Sequence, residues 1–317
     1  MRNWSRVLFV AAAFPSTALA FGTISMLGQD REHERITRAA LTEFEPASLD
    51  LIAGKSGTFG GAGAPDNPRR DFMSRPEAHC DGGDFLAVKK YPQSQAAARQ
   101  ALEACRVWLF RELNDAVMAA AGLVSPSGDA LTMNCKFDGR KAGAKCVVLE
   151  HFGFALHASQ DFYSHSNWTD RADAGAVRAE NPPGLARSGR SPWIDPRVTV
   201  AFPDGLISGC FGGVPESAYC NYGGAVWFLG KNRVKHDFLN KDTGTIAADG
   251  TASSARTARG KINENFGRAV AAAVDDTRDK WTYFKAQVAK VYGAEAGGRI
   301  VCALRSDAPQ TCYGKQN

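Results

Sequence analysis

The sequence predicts a mainly α-helical protein with long loops. Three observations carry this prediction. Apolar residues recur at spacings of three and four through several long stretches, strand-like alternation is sparse, and the intervening segments are rich in Gly, Pro and Asp.

Residues 1–20 have the make-up of a processing signal. Arg2 and Arg6 supply the positive start, Val7–Phe14 a short apolar run, and Ala18-Leu19-Ala20 a small-residue cleavage pattern. The run is too short to span a bilayer. Cleavage after Ala20 would leave Phe21 as the N-terminus of a secreted or periplasmic chain. It would remove two arginines and no acids, taking the formal charge from +5 to +3. That balance is too weak to argue alone for nucleic acid or anionic lipid. No later stretch is apolar enough for a transmembrane segment. Residues 21–317 are ample for a core, and no linker or internal repeat divides them, so they are read as a single domain.

Helical periodicity then runs in order. Glu32–Phe44 places Ile36, Ala40 and Phe44 on one stripe. Gln95–Leu123 carries Leu102, Cys105, Leu109, Leu113 and Val117 on one face. Val147–His165 and Asn263–Tyr292 follow, the latter with Phe266, Val270, Val274, Trp281, Phe284 and Val288. Between them lie the loops Gly54–Pro68, Ser125–Asp129, and an irregular stretch from about Arg171 to Gly224. Long ordered loops on a helical scaffold often build a site.

Eight cysteines and a leader imply disulfides. Three pairs are close in sequence, Cys135–Cys146, Cys210–Cys220 and Cys302–Cys312, which leaves Cys80–Cys105 by elimination; spacing does not exclude other pairings. The absence of CxxC argues against a cysteine zinc site or a redox motif.

The stretch Glu150–Trp168, EHFGFALHASQDFYSHSNW, concentrates the chemistry. His157, Asp161 and His165 follow at steps of four, so on a helix they wind slowly along one face, with Glu150 near the same direction. Imidazole, carboxylate and imidazole on one face suit a borderline cation such as zinc, and a carboxylate can bridge two metals. Polar residues at this spacing also suit a solvated face. The neighbours Phe152, Phe154, Leu156, Phe162, Tyr163 and Trp168 argue instead for a pocket. His151 points away from the stripe. Further candidates are His33, Asp66 in GAPDNP, His79 with Asp81 in HCDGGDF, and His236 with Asp237 and Asp242 in KHDFLNKD. Each alone is weak; their weight comes from number and order.

That order resembles the zinc-dependent phospholipase C and single-strand nuclease superfamily. The nearer resemblance is to the branch of the fungal heterokaryon incompatibility protein HET-C. It rests on Ala20-Phe21-Gly22, on His33 at the first helix, on LHxxQDFYSHSNW at Leu156–Trp168, and on Asn240-Lys241-Asp242 after His236. Together these cover roughly residues 21–242. The resemblance implies a multi-helix phospholipase C/nuclease-like bundle holding two or three zinc ions. Phe21, by its free amine and carbonyl, and His33 would hold one ion, with Asp161 bridging. Asp66, His79, His157 and Asp161 would hold a second. His165 and His236 would hold a third, whose acidic ligand is Asp242, Asp237 or Glu150, since Asn240 stands where the superfamily has an acid.

The chemistry implied is hydrolysis of a phosphodiester, with a metal-bound water as nucleophile. Asp66 would orient that water or take its proton. The expected function is a phospholipase C-like enzyme acting on phospholipid headgroups, with peripheral membrane contact. A single-strand nuclease would need a basic groove, for which Arg69-Arg70 and the Arg171–Arg197 loop offer charge. A third reading is a non-catalytic, toxin-like interaction protein of HET-C type whose metals staple the fold.

Overall fold

The first helix, α1 (Glu32–Ala40), stops earlier than its periodicity suggests. The Leu41 N–H still bonds the Thr37 carbonyl, but Glu45 precedes Pro46 and is extended, at φ −70° and ψ 155°. Proline disfavours the helical region for the residue before it and suits the first turn of a new helix. Accordingly α2 (Pro46–Ala53) starts there, and Phe44 turns inward against Trp281, ring centroids 4.9 Å apart. These coordinates, a computed structural model, describe residues 21–23, 25, 29–140, 142–210, 220 and 233–314. The leader predicted over residues 1–20 lies outside the described residues.

The Gly54–Pro68 segment is not simply a loop. It contains a one-turn helix, α3 (Gly60–Gly63), followed by the 3-10 turn Ala64–Asp66. Next comes α4 (Gln95–Ala119), opened by Ser94, whose Oγ accepts the Ala97 N–H at 3.1 Å. It continues as the 3-10 turn Ala120–Leu123, which matches the predicted extent. Helix α5 (Ala144–His165) is the centre of the protein, and every residue from Phe152 to His165 is buried. A helix enclosed on all sides must be covered by other elements. Helix α4, α3 and the long α8 (Asn265–Tyr292) all pack against it. Before α8 come α6 (His236–Leu239), the two-residue strands β1 (Thr245–Ile246) and β2 (Ala252–Ser253) paired antiparallel, and α7 (Ala258–Lys261). After it comes α9 (Ala294–Arg305), which periodicity did not reveal, because Gly297 and Gly298 interrupt its pattern.

The architecture is therefore mainly α with long loops. The four disulfides join the pairs expected from sequence: Cys80–Cys105, Cys135–Cys146, Cys210–Cys220 and Cys302–Cys312. The irregular stretch after α5 is held by buried polar groups. Asn167 takes the Ile207 N–H at 3.0 Å and gives its own amide to the Pro183 and Gly205 carbonyls. Asn167 is thus fully engaged and buried. Asp170 pairs with Lys241 at 3.0 Å and with Arg259 at 2.9 Å, all three buried. No helix of the described residues is long and apolar enough to cross a membrane.

The approach of α3 to α5 matters for the site, because the Ala62 carbonyl reaches His157. It depends on two glycines. A Cβ on Gly153 would stand 2.2 Å from the Gly61 carbonyl carbon, and one on Gly61 would stand 2.5 Å from the Leu149 oxygen. Both obstacles are backbone. Gly153→Ala is therefore expected to cost about 3 kcal/mol, at the upper end of the overpacking range, despite alanine's better helix propensity. A thermal-unfolding comparison checks this; an unchanged or raised Tm would refute the tight contact.

Candidate metal centre

Helix α5 presents His157, Asp161 and His165 inward at its C-terminal end, and other elements bring partners to them. Helix α1 brings His33, the turn after α3 brings Asp66, the loop before α4 brings His79 and Asp81, and α6 with the residues after it brings His236 and Asp242. Asp161 is the hub. Its Oδ1 lies 3.2 Å from His33 Nε2 and 3.8 Å from His165 Nε2. Its Oδ2 lies 3.0 Å from His157 Nε2 and 3.1 Å from His79 Nδ1. Asp66 Oδ1 is 3.8 Å from His157 Nε2 and 3.9 Å from His79 Nδ1. On the far side Asp242 stands 3.2 Å from His165 and 3.6 Å from His236.

The orientation of the rings is the telling feature. His157 Nδ1–H donates to the Ala62 carbonyl at 2.9 Å, and His165 Nδ1–H to the His79 carbonyl at 2.9 Å. His79 Nε2–H donates to the Phe72 carbonyl at 3.2 Å. His33 Nδ1 meets Gln160 Oε1 at 2.6 Å, and the Gln160 amide donates to Thr37 and Thr277 hydroxyls at 3.0 Å each. Those two donations fix the amide so that its oxygen faces His33. In all four rings the outward nitrogen is bonded to a fixed oxygen, which turns the inward nitrogen toward a carboxylate. Imidazole nitrogens crowded on one carboxylate need positive charge among them, as protons or as a bound cation, and outward pinning of this kind is what orients metal ligands.

The atoms left over agree. His33 Nε2, His165 Nε2, Asp161 Oδ1, Asp81 Oδ1 and Asp242 Oδ2 are buried with no hydrogen-bond partner among the described residues. Leaving such an atom unpaired costs roughly 1–3 kcal/mol, so five within this cluster are a cost that bound cations would reduce. Of the four triads among the described residues that meet the spacing a metal ion needs, three lie in this cluster: His33 with His157 and Asp161, Asp66 with His79 and His157, and Asp81 with His165 and His236; the fourth, Glu112, Asp115 and His151, lies apart from it. These groups fit a metal ion by donor type as well, since imidazole and carboxylate together suit divalent transition ions.

The proton balance shows the same demand for positive charge. Burial disfavours protonation of His79, but Asp161 and Asp66 outweigh it and lift the imidazole to about 9. His33 is raised likewise, against burial, by Asp161. His165 stands well above its ordinary value, since Asp81, Asp161 and Asp242 overcome burial. Burial alone would raise Asp161, yet the imidazoles of His157, His165 and His33 hold its carboxyl well below the usual range. His157 and His236 are pushed down by burial and by the neighbouring imidazoles His33 and His165 respectively.

All the predicted histidines and both predicted aspartates thus converge. The Phe21 ring is buried edge-on to His33, centroids 5.7 Å apart, and His33 N–H donates to the Gly22 carbonyl at 3.2 Å. The segment at Phe21 and Gly22 therefore lies against the cluster, and with Ala20 before it the Phe21 nitrogen is an amide that cannot ligate. Of the three acids considered for the third group, Asp242 is the one at His165 and His236. Glu150 is not there. It lies seven residues, about two turns, before His157 and pairs with Arg70, whose Nη1 is 2.8 Å away. Asp237 is exposed. His151 pairs with Glu112 at 2.7 Å, away from the cluster.

The sequence marks Asp81 as a candidate beside His79 but gives it no place in a ligand group; its Oδ1 lies 3.1 Å from His165 Nδ1. Its signal was present in its place two residues after His79, on the same short turn. Sequence reading passed over Gln160, Ser164 and Thr23. Ser164 donates to Asp242, and Thr23 donates to Asp66 at 2.5 Å. Asn240 stands where the resemblance has an acid, and it acts as a brace. Its Oδ1 accepts the Asp242 N–H at 2.7 Å, and its amide lies 3.5 Å from His236.

Comparison with protein-family models, curated proteins and solved structures returned no match. The geometry therefore stands by itself.

Gln160 can be tested directly. Gln160→Ala frees the His33 ring to turn, and metal affinity is expected to fall about 10- to 100-fold with the fold retained. Chelator competition followed by circular dichroism measures both quantities. An unchanged affinity would show that His33 orientation does not matter.

Proposed function

We propose that the protein is a zinc-dependent phosphodiesterase of phospholipase C type, made as a precursor and secreted or held in the periplasm. What carries this reading is the ring of four buried, outward-pinned imidazoles around Asp161, with Asp66 at its solvent edge. Asp66 is the most exposed member, its side chain 13 % accessible, while His33, His157, Asp161 and His165 are sealed at 0 %. A substrate would approach on the Asp66 and His79 side. The donor set of histidine and aspartate suits two or three zinc ions. Ions so held would supply a hydroxide equivalent near neutral pH and offset charge on a phosphoryl group.

This chain's own part is to position and to move protons. His33, His157 and Asp161 form one ligand group, Asp66, His79 and His157 the next, and Asp81, His165, His236 and Asp242 the third. Asp161 spans the first two and approaches the third. Asp66, tied by the Thr23 hydroxyl, keeps one oxygen toward the cluster and is the base that orients the attacking water or takes its proton. Processing after Ala20 would free the Phe21 amine one residue from the segment that caps His33, adding a nitrogen donor. The resemblance to the HET-C branch supports this assignment through Leu156–Trp168.

The test uses mature protein starting at Phe21. Metal analysis should find two or three zinc ions per chain. Vesicles of phosphatidylcholine should release phosphorylated headgroup, and a protein retaining Ala20 should hold less zinc. Degradation of single-stranded DNA without headgroup release would establish the nuclease instead. Bound zinc without either activity would favour metals that only staple the fold. A folded, metal-free protein would sink the reading.

A further inference from the structure

We propose that the Cys80–Cys105 disulfide is a positioning device for the metal centre, so that the chain captures metal only after this bond has formed. The proposal rests on the metal-binding reading of the cluster. Cys80 sits between two cluster residues. His79 Nδ1 is 3.1 Å from Asp161, and Asp81 Oδ1 is 3.1 Å from His165. The Cys80 side chain turns the other way, to Cys105 in the middle of α4, the 25-residue helix that packs along α5. The bond therefore fastens the His79–Asp81 turn to one of the longest rigid elements in the protein.

The turn needs that fastening. Cys80 has φ +56°, a left-handed conformation disfavoured for residues other than glycine. The chain between α3 and α4 is almost without regular structure, and the one short helical turn near His79 is Pro76–Ala78. Its backbone-to-backbone bonds beyond the turn run to a second loop, and its contacts with helix α5 are made through the cluster residues themselves. Gly82 N–H donates to the Gly209 carbonyl at 2.8 Å, and Ser208 N–H to the Gly83 carbonyl at 3.2 Å. Displacement would cost two ligands at once, because the His79 carbonyl also holds His165 Nδ1 at 2.9 Å.

The second ligand loop is built in the same way. Cys210, paired with Cys220, donates to the Val234 carbonyl at 2.8 Å and accepts the His236 N–H at 2.9 Å. By contrast Cys302–Cys312 ties α9 to the 3-10 turn Pro309–Tyr313, with no cluster residue in either element. It is an internal control.

Forming the Cys80–Cys105 bond removes two electrons and two protons from the two thiols. A disulfide oxidant such as oxidised glutathione accepts them and leaves as two thiols. The experiment refolds reduced chain with oxidised glutathione, traps intermediates by alkylation, separates them and adds cobalt(II) to each. Species containing the Cys80–Cys105 bond are expected to give the cobalt visible spectrum of the fully oxidised protein. Species alkylated at Cys80 and Cys105 should bind cobalt about 10- to 100-fold more weakly. C80A/C105A should show the same loss at unchanged helix content, and C302A/C312A should bind normally. Full-strength binding by the species alkylated at Cys80 and Cys105 overturns the proposal, and this arm decides even where C80A/C105A does not fold. Failure of the fully oxidised protein itself to bind cobalt would instead overturn the metal reading beneath it.

Discussion

Replacing Asp161 by Asn is expected to reduce bound metal to at most one ion per chain and to lower phosphodiesterase activity by about 10³-fold or more, some 4 kcal/mol of transition-state stabilisation. One carboxylate here faces four imidazoles at 3.0–3.8 Å. The amide is nearly the same size, so packing around it is preserved. Its oxygen can serve one side of the cluster, but its NH₂ would donate to the imidazole lone pairs on the other, filling with hydrogen bonds the place a cation would take. The third group, built on Asp81, His165, His236 and Asp242, keeps its own acids and can retain an ion. The buried histidines lose their counter-charge and become neutral, so the variant should fold. Metal analysis, headgroup release and circular dichroism on one preparation test this. Retention of two or three ions would show that Asp161 does not join the groups.

Stability should depend on pH with opposite slopes in metal-free and metal-loaded protein between about pH 6.5 and 8. In the metal-free protein His79, at about 9, and His165, well above its ordinary value, keep protons that an unfolded histidine releases near 6.5. The folded state then binds more protons than the unfolded, so stability falls as pH rises, by roughly 1.4 kcal/mol per pH unit for each proton so held. Across the window that is about 2 kcal/mol per proton. His157 and His236, both lowered, are neutral in both states there and contribute nothing. Glu32, raised by burial to about 7, acts in the same direction below that pH. Above about 8 the buried Lys145 begins to act in the opposite sense, which closes the window. With metal present the signs reverse, since ligation requires unprotonated imidazoles and rising pH strengthens it. Melting temperatures of chelator-treated and metal-loaded protein at pH 6.5 and 8 check both slopes. Parallel slopes would show that the imidazoles do not exchange protons for metal.

The two predictions draw on different levels of the protein. That Asp161 lies on one face with His157 and His165 follows from steps of four on a helix. That it faces four imidazoles does not, because His33 and His79 reach it from 128 and 82 residues away along the chain. The disulfide pairing was readable because three pairs close short loops and one remained.

Local chemistry, then, was determined by the sequence itself. The periodicity set α1, α4, α5 and α8, the aromatic neighbours of the stripe announced its burial, and the residue types named a metal site. Helix ends and short helices were set by proline and glycine interacting with distant backbone, as at Pro46 and at Gly61 against Gly153. The tertiary structure decided which acid completes the third group. Periodicity left Glu150, Asp237 and Asp242 equally available, because winding, exposure and approach depend on how helices pack. Only packing turned Glu150 toward Arg70, left Asp237 at the surface and brought Asp242 to His165. It also decided the ring orientations, since the oxygens that pin them belong to Ala62, Phe72, His79 and Gln160, whose proximity no local pattern encodes.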